Sequence, residues 1–112
     1  MRSGRAVLAL ACGIATSSMA QPTAPDSFVR ADKGHCIACH QLPAAAGPQT
    51  RADLGPGLEG KRMRALGRAG IRQAIVDPTL ANPDTVMPPF GRHRILDAAE
   101  IERLVEFLHA LP

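Results

Sequence analysis

Cys36-Ile37-Ala38-Cys39-His40 is the most chemically specific stretch of the chain. Two thiols at this spacing on a helical turn can each bond one vinyl carbon of the same porphyrin. The next residue, His40, then lies under the iron as proximal ligand. Cys-x-x-Cys-His is the attachment signature of c-type haem. Two other uses of paired cysteines compete. A redox Cys-x-x-Cys belongs in a strand-to-helix setting, and none is legible around Cys36. A structural zinc site needs further ligands at regular spacing, and there is no second Cys pair. The motif therefore assigns Cys36 and Cys39 to one covalently bound haem c, and His40 to its iron.

A ligating imidazole needs its other ring nitrogen held, or it rotates and loses basicity. Gly55-Pro56-Gly57-Leu58 suits that task. Proline fixes the direction of a carbonyl and has no N–H to compete. The flanking glycines allow close backbone approach to a flat cofactor. Pro56 and Leu58 are thus candidate cofactor-binding residues, although an ordinary Gly-Pro turn accounts for them equally well. The sixth iron ligand must come from Met63, Met87, His35, His93 or His109. Met87 lies in Asn82-Pro83-Asp84-Thr85-Val86-Met87-Pro88-Pro89-Phe90, where two prolines stiffen the backbone behind the thioether. Met63, between Lys61, Arg62 and Arg64, reads as a core filler on a solvated turn. His109 reads as a surface residue, and His93 is the main rival to Met87. A His/Met pair raises the reduction potential relative to two histidines. Met87 is the favoured ligand.

The elements that must position these residues are short. Residues 26–35 read as a helix, with Asp26 or Ser27 as N-cap and Phe28 and Ala31 on one face. Residues 41–60 are rich in Pro, Gly and Ala and read as loop with fixed turns. One or two helical turns are expected over 61–66. A helix over 70–76 carries Ile71, Ala74 and Ile75 at helical spacing and is ended by Pro78. Residues 82–91 are loop again. Asp97 with Glu100 makes a capping-box start for a last helix reaching about Leu111, whose apolar stripe is Ile101, Leu104, Val105 and Leu108. No stretch alternates with period two. The fold class is all-α: few short helices and long loops around one covalent haem.

Residues 1–20 read as a secretory signal peptide. Arg2 and Arg5 form a positive start, residues 6–15 an uncharged apolar run too short to span a membrane, and Ser18-Met19-Ala20 a small-residue cleavage site. Cys12 falls inside the run and leaves with it. Residues 21–33 are then a linker and short helix, and residues 34–112 the haem domain of a periplasmic protein. Without Arg2 and Arg5, 11 basic residues face 10 acidic ones, so the precursor's net charge of +3 drops to about +1. That balance gives no reason to expect nucleic-acid binding. With no Trp, no Tyr and three Phe, the chain is short of large core-fillers, a volume that a haem would supply. Both remaining cysteines are consumed by the haem, so the chain holds no candidate catalytic residue for sulfur transfer.

These motifs together resemble class I cytochromes c, and within them the SoxX subunits of thiosulfate-oxidising SoxAX complexes. The general likeness is Cys36-x-x-Cys39-His40, then Gly55-Pro56-x-Leu58-x-Gly60, a Met loop and an amphipathic last helix. The narrower likeness starts with Gly34-x-Cys36 running into Cys-His-Gln-Leu-Pro, and Ile71-x-x-x-Ile75-x-Asp77-Pro78. It continues through Asn82-Pro83-x-Thr85-x-Met87-Pro88-Pro89-Phe90-Gly91 and Ile95-Leu96-x-x-x-Glu100-Ile101. The resemblance implies haem held by Cys36 and Cys39 with His40 and Met87 as axial ligands. It also implies a periplasmic SoxA-like partner subunit, a SoxYZ-like carrier whose cysteine is coupled oxidatively to thiosulfate, and a soluble cytochrome as electron acceptor. The chain would take up electrons and not catalyse coupling alone. A freely diffusing periplasmic cytochrome c shuttle is the alternative. A ligand-activating haem enzyme is a third, opposed by a filled sixth position. The chain lacks the aromatics that cover haem in many relatives, which leaves Arg62, Arg64 and Arg92 as candidates to neutralise the propionates.

Overall fold

The computed structural model describes residues 23–112 and Ala15. The proposed signal peptide, and the first part of the linker expected at 21–33, lie outside the described residues. Among those residues there is no strand. The elements are α1 (Asp26–Val29), a 3₁₀ turn at Cys36–Ala38, α2 (Gly60–Val76), a 3₁₀ turn at Pro78–Leu80 and α3 (Ala98–His109). Among the described residues no helix is long and apolar enough to cross a membrane.

The last helix forms as its sequence dictates. Asp97 accepts from the Glu100 backbone N–H at 2.8 Å, and the Glu100 side chain accepts from the Asp97 N–H at 3.0 Å. Two of the four otherwise unpaired N–H groups of the first turn are thereby satisfied. Ile101, Leu104, Val105 and Leu108 are all buried, joined by Phe107. Phe107 meets Phe28 of α1 edge to face, with ring centroids 5.6 Å apart. The domain therefore has an apolar core of its own, centred on Phe28, Leu104, Val105 and Leu111.

α1 is a single turn and not the helix expected over 26–35. The chain turns extended at Arg30, and His35 takes a left-handed conformation with φ 48° just before Cys36. Phe28 is buried as expected, but Ala31 is exposed. Tertiary packing overrides helix propensity here: Phe28 is held against Phe107 of α3, and the left-handed His35 leads the chain into the cysteine turn.

α2 joins the two helical pieces expected at 61–66 and 70–76 without a linker. Gly67 makes the junction with φ 68° and ψ 168°, a conformation open almost only to glycine. Its N-terminus lacks a side-chain cap; instead the Gly60 N–H donates to the Pro112 carbonyl, and Arg64 donates to that of Leu111 at 2.7 Å. Met63, expected on a solvated turn, is only 3% exposed. Its basic neighbours Lys61, Arg62 and Arg64 are exposed. Arg68 and Arg72 grip Glu106 and Glu102 of α3 in two bidentate pairs.

Candidate functional site

Three segments converge below α3. The first is the Cys-x-x-Cys-His turn. The Ala38 N–H donates to the His35 carbonyl and the Cys39 and His40 N–H groups to that of Cys36, which makes a tight turn. The second is the loop containing Pro56. It is tied to the first by Gly55 N–H to the Cys39 carbonyl at 2.8 Å and Leu58 N–H to the Gln41 carbonyl at 2.9 Å. The third is the Met87 loop. It leaves α2 through Asp77-Pro78 and returns to it, Phe90 donating to the Ile75 carbonyl and Gly91 and Arg92 to that of Val76. Asp77, held extended ahead of Pro78, accepts from the Thr79 N–H at 3.1 Å and from its hydroxyl at 2.5 Å. Arg92 approaches the same carboxylate at 3.5 Å. The loop that carries Met87 is thus pinned at both ends, and Met87 N–H donates to the Thr85 hydroxyl at 3.2 Å within it.

Between these segments lies a cavity of about 570 Å³, a size that suits a bound small molecule or cofactor. Cys36, Cys39, His40, Pro56, Leu58 and Met87 all line it. Most other walls are apolar: Phe28, Met63, Leu66, Ile71, Ile75, Phe90, Leu104 and Leu108. Among the described residues no Asp or Glu lines it, and the Lys and Arg side chains there are Lys33, already paired with Glu100 at 2.8 Å, and Arg62. Arg64 and Arg92 are engaged elsewhere, which leaves Arg62 as the candidate facing an anion at this cavity. Of the remaining sixth-ligand candidates, Met63 and His35 also line the cavity, while His93 and His109 do not.

His40 Nδ1 lies 2.8 Å from the Pro56 carbonyl oxygen. A carbonyl can only accept, so Nδ1 carries the proton and donates it. That leaves Nε2 as the ring nitrogen to bind a metal, the other nitrogen of a ligating imidazole being held by a hydrogen bond. This is the task the sequence suggested for Gly55-Pro56-Gly57-Leu58. The backbone pairing that aligns it was not legible, since nothing local couples residues so far apart along the chain.

The competing uses of the cysteines fare poorly. Burial pushes the Cys36 thiol up to about 11, whereas a reactive redox thiol is tuned downward. Among the described residues no three His, Cys, Asp or Glu side chains are grouped to hold a metal ion. A haem fits the donor set present: two thiols, an imidazole held at Nδ1, a thioether, apolar walls for a flat macrocycle and a cation for its carboxylates.

Residues 20–108 match the family model of cytochrome c oxidase, cbb3-type, subunit III. The chain belongs to that family. No curated protein and no solved structure matches it. A cytochrome c domain of this kind implies covalently bound haem c and electron transfer to partner proteins. The helical, strand-free architecture of the described residues accords with a cytochrome c fold. Nothing in the match is particular to SoxX.

Proposed function

We propose that this protein is a periplasmic monohaem c-type cytochrome that accepts and releases one electron at a time. Its haem domain spans residues 34–112, behind a signal peptide at 1–20 and a linker with a short helix at 21–33. Cys36 and Cys39 carry the thioether bonds, Pro56 and Leu58 contact the cofactor side, and His40 and Met87 bind the iron. The observation that carries this reading is the His40 ring with Nδ1 tied to the Pro56 carbonyl in a cavity that also holds both thiols and Met87. Haem, when bound, supplies a one-electron iron couple. The chain's own residues do the rest. His40 is held in one tautomer, the prolines around Met87 limit its movement, the apolar walls exclude water, and Arg62 offsets carboxylate charge.

Within that role we favour the electron-accepting subunit of a SoxAX-like complex. The support is the Met87-Pro88-Pro89-Phe90-Gly91 loop and its surroundings. Leu80 stands 73% exposed on the segment that leads into this loop, and Pro83 is exposed as well. Apolar side chains standing out in solvent suit a docked subunit better than a shuttle that meets its partners through a charged ring. The family match favours the second reading, a cytochrome that feeds electrons toward a terminal oxidase.

Reconstitution separates them. The holoprotein, with and without a SoxA-like subunit, is given thiosulfate, a SoxYZ-like carrier and an electron acceptor. Coupling only in the presence of both subunits supports the SoxAX role. No stable complex with such a subunit, together with rapid oxidation by a terminal oxidase, supports the second reading. Coupling by the lone chain would contradict both, because it has no thiol free to form a sulfur adduct.

A further inference from the structure

Gly55 lies over one face of the His40 imidazole. A Cβ built on Gly55 would sit 2.3 Å from Cε1, 2.6 Å from Nδ1 and 2.8 Å from Nε2 of that ring. These lengths are so similar that the approach must be from above the ring. An approach in the ring plane would leave both nitrogens much further away than Cε1. Not even a methyl group fits between this backbone and the ring. The neighbouring glycine differs: a Cβ on Gly57 would meet nothing within 4 Å, and Gly57 does not line the cavity. Gly55 is not in the left-handed region, so contact and not conformation demands glycine.

We propose that Gly55 is a positioning residue that fixes the rotation of the His40 ring; this rests on the reading of His40 as iron ligand. The hydrogen bond to Pro56 holds one corner of the ring, but a carbonyl accepts over a broad range of directions. Tilt about that bond is stopped by the backbone pressed on the ring face. The backbone cannot retreat, because Gly55 N–H is bonded to the Cys39 carbonyl, immediately before His40, and Leu58 N–H to that of Gln41, immediately after it. Ring rotation sets how the ligand π orbitals overlap the iron d orbitals. It is therefore read by the electronic structure of the oxidised iron.

The test uses the holoprotein with Gly55→Ala and Gly57→Ala. Gly55→Ala keeps its covalent haem but changes the EPR g-values, the spread of the hyperfine-shifted haem methyl resonances and the midpoint potential. Gly57→Ala superimposes on the wild type. A Gly55→Ala holoprotein with wild-type g-values, methyl spread and potential would overturn the proposal. A second measurement needs no variant. In the reduced wild-type protein, a nuclear Overhauser effect between Gly55 Hα and His40 Hε1 is expected, with the ring protons of His40 shifted far upfield as those of an iron ligand. Upfield ring protons without that Overhauser effect overturn the role of Gly55 alone. Ring protons at ordinary imidazole positions overturn the ligand reading, and this inference falls with it.

Discussion

Met63 and Met87 line the same cavity from different directions, Met63 from the first arm of α2 and Met87 from the loop that follows that helix. Met63 is almost wholly buried and belongs to the core cluster, whereas Met87 is half-buried and packs against its margin. A core methionine fills volume in contact with its neighbours. A sulfur on a pinned loop is available to a cofactor.

Met87→Ala is therefore expected to lower the midpoint potential and to abolish the methionine–iron charge-transfer band of the oxidised protein. Loss of the thioether removes the ligand that raises the potential of a His/Met centre. The band is read directly in the visible spectrum. If it persists in the variant, Met63 becomes the sulfur donor to test.

Cys36→Ser and Cys39→Ser should each reduce the amount of stable holoprotein, measured as haem-bearing protein in the periplasmic fraction. One thioether remains in each variant, but the apolar walls contributed by Leu66, Ile71 and Ile75 then depend on a cofactor held at one point. A variant that accumulates as a well-folded, haem-free domain would show that the core around Phe28 and Leu104 suffices alone.

How much of this was legible in the sequence depends on how local each feature is. α3 was, because its capping box and apolar stripe are short-range patterns. The Cys-x-x-Cys-His turn and the stiff Met87 loop were legible for the same reason. The end of α1 was not, since the left-handed His35 answers to packing rather than to propensity. Nor was the junction at Gly67, because an isolated glycine in a helical pattern does not reveal whether it will bend the chain. Met63 was legible as a core filler, but not its place at the wall of the cavity, because its exposed basic neighbours suggest a solvated turn. The Gly55–His40 contact depends on two backbone bonds between distant segments, for which no local signal exists.

Gly67→Ala should cost about 1–3 kcal/mol, the range for a residue forced into a glycine-only backbone region. Open space around its Cβ removes any steric reason for a larger loss. Chemical denaturation followed at the haem absorbance measures it. A stability equal to the wild type would mean that α2 can run straight through this point.

Stability should fall steeply in acid, and part of the fall belongs to Asp77. Hydrogen bonds from Thr79, with Arg92 nearby, hold its carboxyl below the usual value of 3.8. A depressed folded-state value gives stability that is present above the unfolded value and lost as pH drops through the folded one. The effect therefore lies below about pH 4. Denaturation midpoints of wild type and Asp77→Asn, compared from pH 5 down to pH 3, should converge as the pH falls. A constant gap across that range would show that Asp77 does not anchor the loop through its charge.

Every proposed role of this chain depends on the covalent attachment of one haem at Cys36 and Cys39. Mass analysis of the protein, exported in a host that can mature c-type cytochromes, tests it most directly. One haem per chain is expected, carried on the peptide that contains Cys36, Cys39 and His40. Recovery of that peptide with both thiols unmodified would contradict it.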